Sequence, residues 1–349
     1  FSFTFDMGDE ALLWDEFNPN VYDLTLSLAP LDERSVVKFG LRDVGTKGTQ
    51  ITVNGRPVYL RGTLECSAFP LTGHPPTDVD SWRRIFRQCK AYGLNHVRFH
   101  SYCPPEAAFV AADELGVYLQ PEGSFWTHLG RGKPIDDFAI AEIQRTRETF
   151  GNHPSFLTFS TGNELRGSIP SLVELMLKGK GDETRHLYTL GTNAWVFMSP
   201  KPTDDFSKLD FMNTKYTRNG DVRMGLKQIR PEPFSSTDFD FSTALIDLPV
   251  VAHEIGQHCV WPNFDETAKY TGPLKPKNYE IFHDWLVAAG LENQWREFFM
   301  ESGRLQTIMY KEEIEASLRT RGMAGFQLLG LNDFPGQGTA LVGALDAFW

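Results

Sequence analysis

The sequence lacks the features that mark several large protein classes. No stretch approaches the roughly 20 consecutive apolar residues that a membrane-spanning helix needs, and no run of lysine or arginine occurs. The 34 basic residues are outnumbered by 45 acidic ones, giving a formal net charge of −11. Because nucleic acids bind basic surfaces, the sequence predicts neither a nucleic-acid nor a membrane partner. A neutral substrate fits this charge better.

Cysteine is also scarce, and its spacing carries no metal-site or disulfide signature. Cys66, Cys89, Cys103 and Cys259 form no Cys-x-x-Cys pair, so we predict neither a zinc site nor a disulfide framework. The chain begins without methionine and without a signal peptide, so we expect any targeting segment to have been removed or to lie outside this piece. We favour a periplasmic or secreted location over a cytoplasmic one.

Residues 1 to about 57 show the alternation of short strands. Phe1, Phe3 and Phe5 alternate with polar residues, and 21–26 repeat the pattern, which is typical of half-buried strands. The segment predicts half of a β-sandwich. Two sheets cannot be closed with so few strands, and their inner faces would be exposed. We therefore expect the chain to be part of a longer one.

From residue 58 short apolar strands alternate with amphipathic helices, the pattern of a parallel α/β sheet. Eight strands are predicted, enough for one closed α/β barrel, near Val58–Glu65, His96–Tyr102, Val117–Gly123, Ser155–Glu164, Leu187–Ala194, Asp210–Tyr216, Pro249–Gly256 and Ala324–Asp333. Helices are predicted at Asp80–Tyr92, Pro105–Leu115, Asp136–Phe150 and Lys311–Arg321. The fold class is α/β: a (β/α)8 TIM barrel over 46–349, preceded by a partial β-sandwich over 1–45.

The residues that end these strands are unusually polar. In α/β barrels the chemistry lies at the carboxyl ends of the strands, so these residues are the candidates for a site. In strand order they are Glu65; Arg98, His100 and Tyr102; Glu122; Asn163 and Glu164; Tyr216; His253 and Glu254; and Asn332 and Asp333.

Two of these carboxylates suit the cleavage of a glycosidic bond. That reaction needs one carboxyl group to protonate the leaving oxygen and a second to attack the anomeric carbon or to activate water. Glu164 ends the fourth strand and Glu254 the seventh. Since these strands lie roughly opposite in an eight-membered ring, their tips can hold carboxyl groups about 5 Å apart, the spacing of retaining glycosidases.

The order and spacing of the motifs resemble glycoside hydrolase family 2, the β-galactosidase and β-glucuronidase group, over nearly the whole chain. Leu13-Trp14, 18–22 and 39–44 resemble the end of the family's immunoglobulin-like sandwich and its link into the barrel. The segment 54–62, Asn-Gly-Arg-Pro-Val-Tyr-Leu-Arg-Gly, resembles the family's first-strand signature. Residues 95–98, Tyr102 and Gly162-Asn163-Glu164 follow in the family's order.

The resemblance implies roles for several of these residues. Glu164 would be the general acid/base and Glu254, within His253-Glu254-Ile255-Gly256, the nucleophile. Asn163 would bind the sugar 2-hydroxyl. Tyr216 would hydrogen-bond the nucleophile, and Arg98 would favour its ionised form.

Each role has a simpler alternative. Glu164 also suits the N-terminus of the next helix, and Arg98 suits a structural ion pair. His100 and His128 are candidate sugar contacts, with buried core histidines as the alternative. Glu65 contacts a hydroxyl or braces the first loop, and Asp333 is ambiguous.

The sequence also departs from the family's pattern. Trp126 stands where metal-dependent relatives have a carboxylate two residues before a histidine, here His128. One imidazole is a poor magnesium site, so we predict no catalytic metal and no cofactor.

The family's strand-eight tryptophan is missing, and Trp126, Trp195 and Trp261 are candidate replacements. No lysine or arginine occurs between Asn332 and Trp349, where β-glucuronidases carry a lysine, although Lys215 and Arg218 offer a substitute.

The predicted function is therefore that of a retaining exo-β-glycosidase acting on a carbohydrate, with β-galactoside as the default substrate. The alternatives within the family are a β-glucuronidase, a β-mannosidase or another β-glycosidase. A noncatalytic carbohydrate-binding barrel is the alternative from another class. A barrel lyase or aldolase would need a Schiff-base lysine or a metal cage, and the strand ends show neither.

Overall fold

The computed structural model describes residues 4–28, 33–191, 207–214, 238–244, 246–335 and 341–349. Its amino-terminal part consists of two antiparallel units. Strands β1 (Tyr22–Leu28) and β2 (Glu33–Phe39) form a hairpin. Strands β3 (Val44–Lys47), β4 (Gln50–Val53) and β5 (Arg56–Val58) form a three-stranded sheet. The alternating pattern predicted at 21–26 corresponds to β1, whereas 4–8 form no strand and Phe1 and Phe3 lie outside the described residues.

Within the described residues eight parallel strands follow, one at each predicted position. They are β6 (Leu60–Glu65), β7 (His96–Phe99), β8 (Tyr118–Gln120), β9 (Thr158–Ser160), β10 (Leu187–Thr189), β11 (Met212–Thr214), β12 (Val250–Ile255) and β13 (Met323–Leu328). Each observed strand is shorter than its predicted range, chiefly because the polar residues predicted to end a strand often belong to the loop that follows it.

The strands are connected in sequence order. One six-stranded sheet has the order β11-β12-β13-β6-β7-β8, and β9 pairs with β10. Isolated parallel bridges, Leu119 with Phe156 and Glu122 with Ser160, join β8 to the β9 region. Between β10 and β11, the Asp210 amide donates to the Tyr188 carbonyl at 3.1 Å. The carboxyl ends of all eight strands therefore lie at one end of an α/β fold.

The helices cover the outside of this sheet. The structure describes α1 (Val79–Ala91), α2 (Glu106–Leu115), α3 (Pro134–Phe150), α4 (Ile169–Lys180), α5 (Asp240–Thr243), α6 (Lys277–Ala289) and α7 (Trp295–Arg319), with 3₁₀ turns at Phe264–Lys269 and Glu292–Gln294. The three helices predicted at 80–92, 105–115 and 136–150 correspond to α1, α2 and α3. The fourth predicted helix is the last part of α7, which begins sixteen residues earlier than Lys311.

Two buried apolar clusters hold these layers together. The larger one lies between the strands and helices α1 to α4 and includes Trp82, Phe86 and Phe99. The smaller one combines Trp14 and Ile51 with the first residues of several parallel strands, among them Leu60, Leu187 and Ala324. The amino-terminal segment therefore closes the end of the fold opposite the polar strand ends. Within the described ranges, no helix has both the length and the apolar character to cross a membrane.

Candidate functional site

Arg98, on β7, is the centre of the polar cluster at the carboxyl ends of the strands. Its side chain is fully buried. Its Nη1 donates to Glu254 Oε1 at 3.2 Å, and its Nη2 donates to Asn163 Oδ1 at 2.7 Å. Residues that end the second, fourth and seventh predicted strands are thus brought together through one guanidinium group.

Glu122 holds this guanidinium in place with both carboxylate oxygens. Arg98 Nε donates to Glu122 Oε1 at 2.5 Å and Nη2 to Oε2 at 3.2 Å. The Ser101 amide also donates to Oε2, at 2.8 Å. Such two-point pairing fixes the plane of the guanidinium. Glu122 and Glu254 carry two formal negative charges, and Arg98 carries one positive charge. Burial of each carboxylate therefore depends on its ion pair with the Arg98 guanidinium.

Glu254 follows β12 residue His253 and is surrounded by nitrogen donors. Its side chain is 9% exposed. Besides Arg98, His253 Nε2 lies 3.2 Å and His100 Nε2 3.7 Å from its Oε1. Burial and the nearby Arg98 charge lower the pKa of His100, outweighing the opposite effect of Glu122 and Glu254. The imidazole is therefore neutral near pH 7 and can present one N–H to the site.

Glu164 lies next to Asn163, at the mouth side of the same cluster. Asn163 is buried, with Oδ1 bound to Arg98 and 3.2 Å from His253 Nε2, whereas Glu164 is only partly buried. Asn163 therefore fixes the strand end, and the more accessible carboxyl group follows it.

Both candidate catalytic glutamates have left-handed backbone conformations. The φ angle is 45° at Glu164 and 55° at Glu254. For residues with a β-carbon this region costs roughly 1–2 kcal/mol, and such conformations occur preferentially at functional sites.

Two other predicted contacts lie on the loop after β8. Trp126 is 64% exposed, and its ring meets that of His100 edge to face at a centroid distance of 5.4 Å. His128 is exposed on the same loop and bridges to Arg166. The structure brings Trp126 to the Arg98 cluster and leaves His128 at the rim.

Glu65 and Asp333 are buried away from the hydrogen bonds around Arg98. Glu65 Oε1 accepts from the Ser67 amide at 2.7 Å, and burial raises the pKa of this carboxyl group to about 8. Asp333 Oδ1 accepts from the Gly343 amide at 2.8 Å, and burial, with Glu266 and Asp346 nearby, raises its pKa to about 8 as well. Sugar contacts for these residues stay predictions. Tyr216, like Trp195, Lys215 and Arg218, lies outside the described residues.

A buried polar layer beneath Arg98 was not predicted. Gln327 Nε2 donates to Gln120 Oε1 at 3.0 Å and lies 2.9 Å from His96 Nε2, while Asn213 Nδ2 donates to Gln327 Oε1 at 3.0 Å. Burial lowers the pKa of His96 to about 4. The neutral ring donates from Nδ1 to the Tyr118 carbonyl and accepts at Nε2. The sequence signal was a polar residue two positions before Arg98 and Glu122, on the same strand face.

Metal ligands are not grouped in the described part of the chain: no three His, Cys, Asp or Glu side chains there are arranged to hold an ion. The prediction that no catalytic metal is required stays a prediction.

Comparison with known proteins confirms the predicted resemblance to glycoside hydrolase family 2, although no family model matches the chain. The chain is 30% identical to a β-galactosidase of Photobacterium profundum over 162 residues, which are 43% of the chain and 16% of that enzyme. It is 24% identical to the β-galactosidase large subunit of Latilactobacillus sakei over 327 residues, 82% of the chain and 51% of the subunit. The chain thus spans about half or less of these relatives.

Solved structures of the family share the fold. A family 2 β-galacturonidase from Eisenbergiella tayi, bound to galacturonate, has a TM-score of 0.68 at 16% identity and covers 98% of this chain, which spans 57% of that protein. A β-glucuronidase from Ruminococcus gnavus has a TM-score of 0.66 at 17% identity, covering 97% of this chain and 56% of its own.

Proposed function

We propose that this chain is the catalytic part of a retaining β-glycosidase of the glycoside hydrolase family 2 type, with Glu254 as nucleophile and Glu164 as general acid/base. The observation that carries the proposal is the convergence of both strand ends on one cluster: Arg98 binds Glu254 and Asn163, and Glu164 follows Asn163 directly. The hydrolase names of the relatives support the same reaction class.

The proposed architecture is a closed (β/α)8 barrel over 46–349, preceded by part of an immunoglobulin-like sandwich over 1–45. The bridges between the β8 and β9 regions and the hydrogen bond from Asp210 to Tyr188 support closure of the ring. The hairpin of β1 and β2 supports the sandwich.

In the first step Glu254 attacks the anomeric carbon while Glu164 gives its proton to the glycosidic oxygen. The bond from the anomeric carbon to that oxygen breaks, an alcohol leaves, and the sugar becomes an ester of Glu254. Arg98 Nη1 donates to Glu254 Oε1 at 3.2 Å, and such a charge-assisted hydrogen bond stabilises negative charge on the attacking carboxylate.

In the second step water attacks the anomeric carbon from the face the alcohol left, and Glu164 takes a proton from the water. The ester bond to Glu254 breaks, both glutamates return to their starting forms, and the configuration is retained. Asn163, whose Oδ1 is held by Arg98, keeps its Nδ2 available for the sugar 2-hydroxyl. His100, His128 and Tyr216 are proposed further sugar contacts.

The proposed default substrate is a β-galactoside, supported by the curated relatives named β-galactosidase. A uronide is the second candidate, because the solved neighbours are a β-galacturonidase and a β-glucuronidase. The sequence after Asn332 lacks a lysine or arginine to pair with a uronate. A panel of 4-nitrophenyl β-galactoside, β-glucuronide, β-galacturonide and β-mannoside separates these readings, and inactivity on the galactoside overturns the default.

Covalent trapping tests the mechanism. A 2-deoxy-2-fluoro glycoside of the sugar that the panel selects should label Glu254, located by peptide mass spectrometry, because the fluorine slows hydrolysis of the ester. Glu254→Ala should abolish labelling. Glu301→Gln, which changes an exposed glutamate on α7, is the matched control and should label normally.

Loss of either glutamate should lower kcat by several orders of magnitude. Turnover that survives Glu164→Ala or Glu254→Ala would rule out the assigned roles. Sugar binding without turnover in the unaltered chain would instead favour the noncatalytic carbohydrate-binding barrel.

A further inference from the structure

Trp126 combines high exposure with proximity to the proposed nucleophile. Its side chain is 64% exposed, an unusual state for the largest apolar residue. Its ring contacts His100 edge to face, and His100 Nε2 lies 3.7 Å from Glu254 Oε1. One imidazole therefore separates the indole from the proposed reaction centre.

The backbone places Trp126 beside the proposed acid/base as well. The Asn163 amide donates to the Phe125 carbonyl at 2.8 Å, and the Arg166 amide donates to the Thr127 carbonyl at 3.0 Å. Trp126 lies between these two acceptors on one segment, as Glu164 lies between the two donors on the other. The backbone around Trp126 is thus bonded on both sides to the segment that carries the proposed acid/base.

The loop that carries Trp126 is fixed at its far end. Asp136, in the first turn of α3, accepts from the amides of Gly130, Arg131 and Lys133 at 2.8, 2.8 and 3.1 Å. A side chain on such a loop is held in place before ligand binding, which reduces the entropy lost on binding.

Trp126 lies nearer the surface than the residues that would surround the sugar undergoing attack. Arg98 and Glu122 are buried at the bottom, and Glu254 is only 7% exposed. The exposed indole therefore lies toward the entrance, on the backbone segment that is hydrogen-bonded to the one carrying Glu164. The leaving group occupies that side, since the acid/base must reach the glycosidic oxygen.

We propose that Trp126 is the platform on which the leaving group rests, so that it selects glycosides whose leaving group presents a flat apolar face. A sugar ring offers such a face through its C–H groups, and an aromatic ring offers one through its carbons. Stacking removes apolar area of both partners from water. This inference rests on the proposed function and deepens it by assigning the leaving-group subsite.

Two substrates with the same sugar but different leaving groups test the platform. The 4-nitrophenyl glycoside has a ring to stack, whereas the glycosyl fluoride of the same sugar has none. For Trp126→Ala the ratio of kcat/KM between the two should fall roughly tenfold or more, the order expected for one buried ring face. Trp126→Phe should recover part of the ratio because it keeps an aromatic surface.

Trp285→Ala is the matched control. Trp285 is 60% exposed on α6 and is not part of the proposed site, so its loss should leave the ratio unchanged. If Trp126→Ala also leaves the ratio of kcat/KM unchanged, the platform is overturned. It is overturned as well if Trp285→Ala lowers this ratio as much as Trp126→Ala does.

Transfer to an added alcohol gives a second measurement that is independent of the first step. The glycosyl ester of Glu254 reacts with water or with methyl β-D-glucoside. With the glucoside, a hydroxyl oxygen attacks the anomeric carbon, its proton goes to Glu164, and the bond to Glu254 breaks as the new glycosidic bond forms. Trp126→Ala should shift this partition toward water, again by roughly tenfold. An unchanged partition contradicts the proposal. If the unaltered chain cleaves neither glycoside nor fluoride, the proposed function itself fails, and the platform falls with it.

Discussion

At the residue scale, Glu65 is a buried carboxyl group at the end of β6. In the ladder Leu64 pairs with Arg98 and Glu65 with Phe99. Because paired residues share a face, Glu65 points with Phe99 toward the helices, away from Arg98. The sequence predicts that Glu65 ends the strand but not which face of the sheet its side chain lies on, because a shift of one residue in register moves every side chain of a strand to the opposite face.

The buried acid of Glu65 makes stability depend on pH. Its pKa is raised to about 8 from an ordinary 4.5, so between these values the folded state keeps a proton that the unfolded state has lost. Stability therefore falls as pH rises through this window, by at most about 1.4 kcal/mol per pH unit for one group. We expect Glu65→Gln to reduce the fall in urea unfolding free energy between pH 5 and 8, with Asp333, whose pKa is also raised to about 8, contributing the part that remains.

Glu297→Gln, which changes an exposed glutamate on α7, is the control for this titration. It should keep the original slope. If Glu65→Gln also keeps that slope, Glu65 is ionised in the folded protein, and its burial does not control the pH dependence.

At the scale of elements, all eight parallel strands could be predicted because apolar runs bounded by polar residues mark them locally. Helix α4 (Ile169–Lys180) was missed, although Ser168 caps it by accepting from the Ser171 amide and proline follows in its first turn. The proposed catalytic pair, Glu164 and Glu254, was predicted from its place at two strand ends, and its roles stay predictions. The contacts of Arg98 with Glu122, and of the polar layer below, join distant parts of the chain, so no local pattern predicts them.

The loop after β8 is stabilised by Asp136 through three backbone amides. Asp136→Ala removes these acceptors, and we expect a loss of about 2–3 kcal/mol in urea unfolding, since hydrogen bonds to charged groups contribute most. The loop should also exchange its amide hydrogens faster, as measured by mass spectrometry over 124–133. Asp137→Ala, one residue further along α3 and exposed, should change neither quantity. Equal effects of the two variants would mean that helix charge, not loop anchoring, matters.

At the scale of the whole molecule, the amino-terminal segment and the parallel sheet form one structural unit. Trp14 is fully buried in the cluster at the strand starts, and its Nε1 donates to the Asp113 carbonyl at 2.8 Å. The Arg42 guanidinium donates to the carbonyls of Pro154, Phe156 and Arg185. The boundary predicted near residue 45 falls within β3, and residues before it pack against and donate hydrogen bonds to residues beyond it.

The buried Trp14 lies at the end of the sheet opposite the candidate site. A substitution there should therefore lower the free energy of unfolding without changing the substrate preference. Trp14→Ala opens a large cavity in the apolar cluster and leaves the Asp113 carbonyl without its donor, and we expect a loss of about 3–5 kcal/mol in urea unfolding. The fraction that stays folded should retain the ratio of kcat/KM between aryl glycoside and glycosyl fluoride, because no contact around Arg98 involves Trp14. Trp285→Ala, an exposed tryptophan, should cost less than about 0.5 kcal/mol. A changed substrate ratio in Trp14→Ala would show that closure of the far end also sets the geometry of the strand tips.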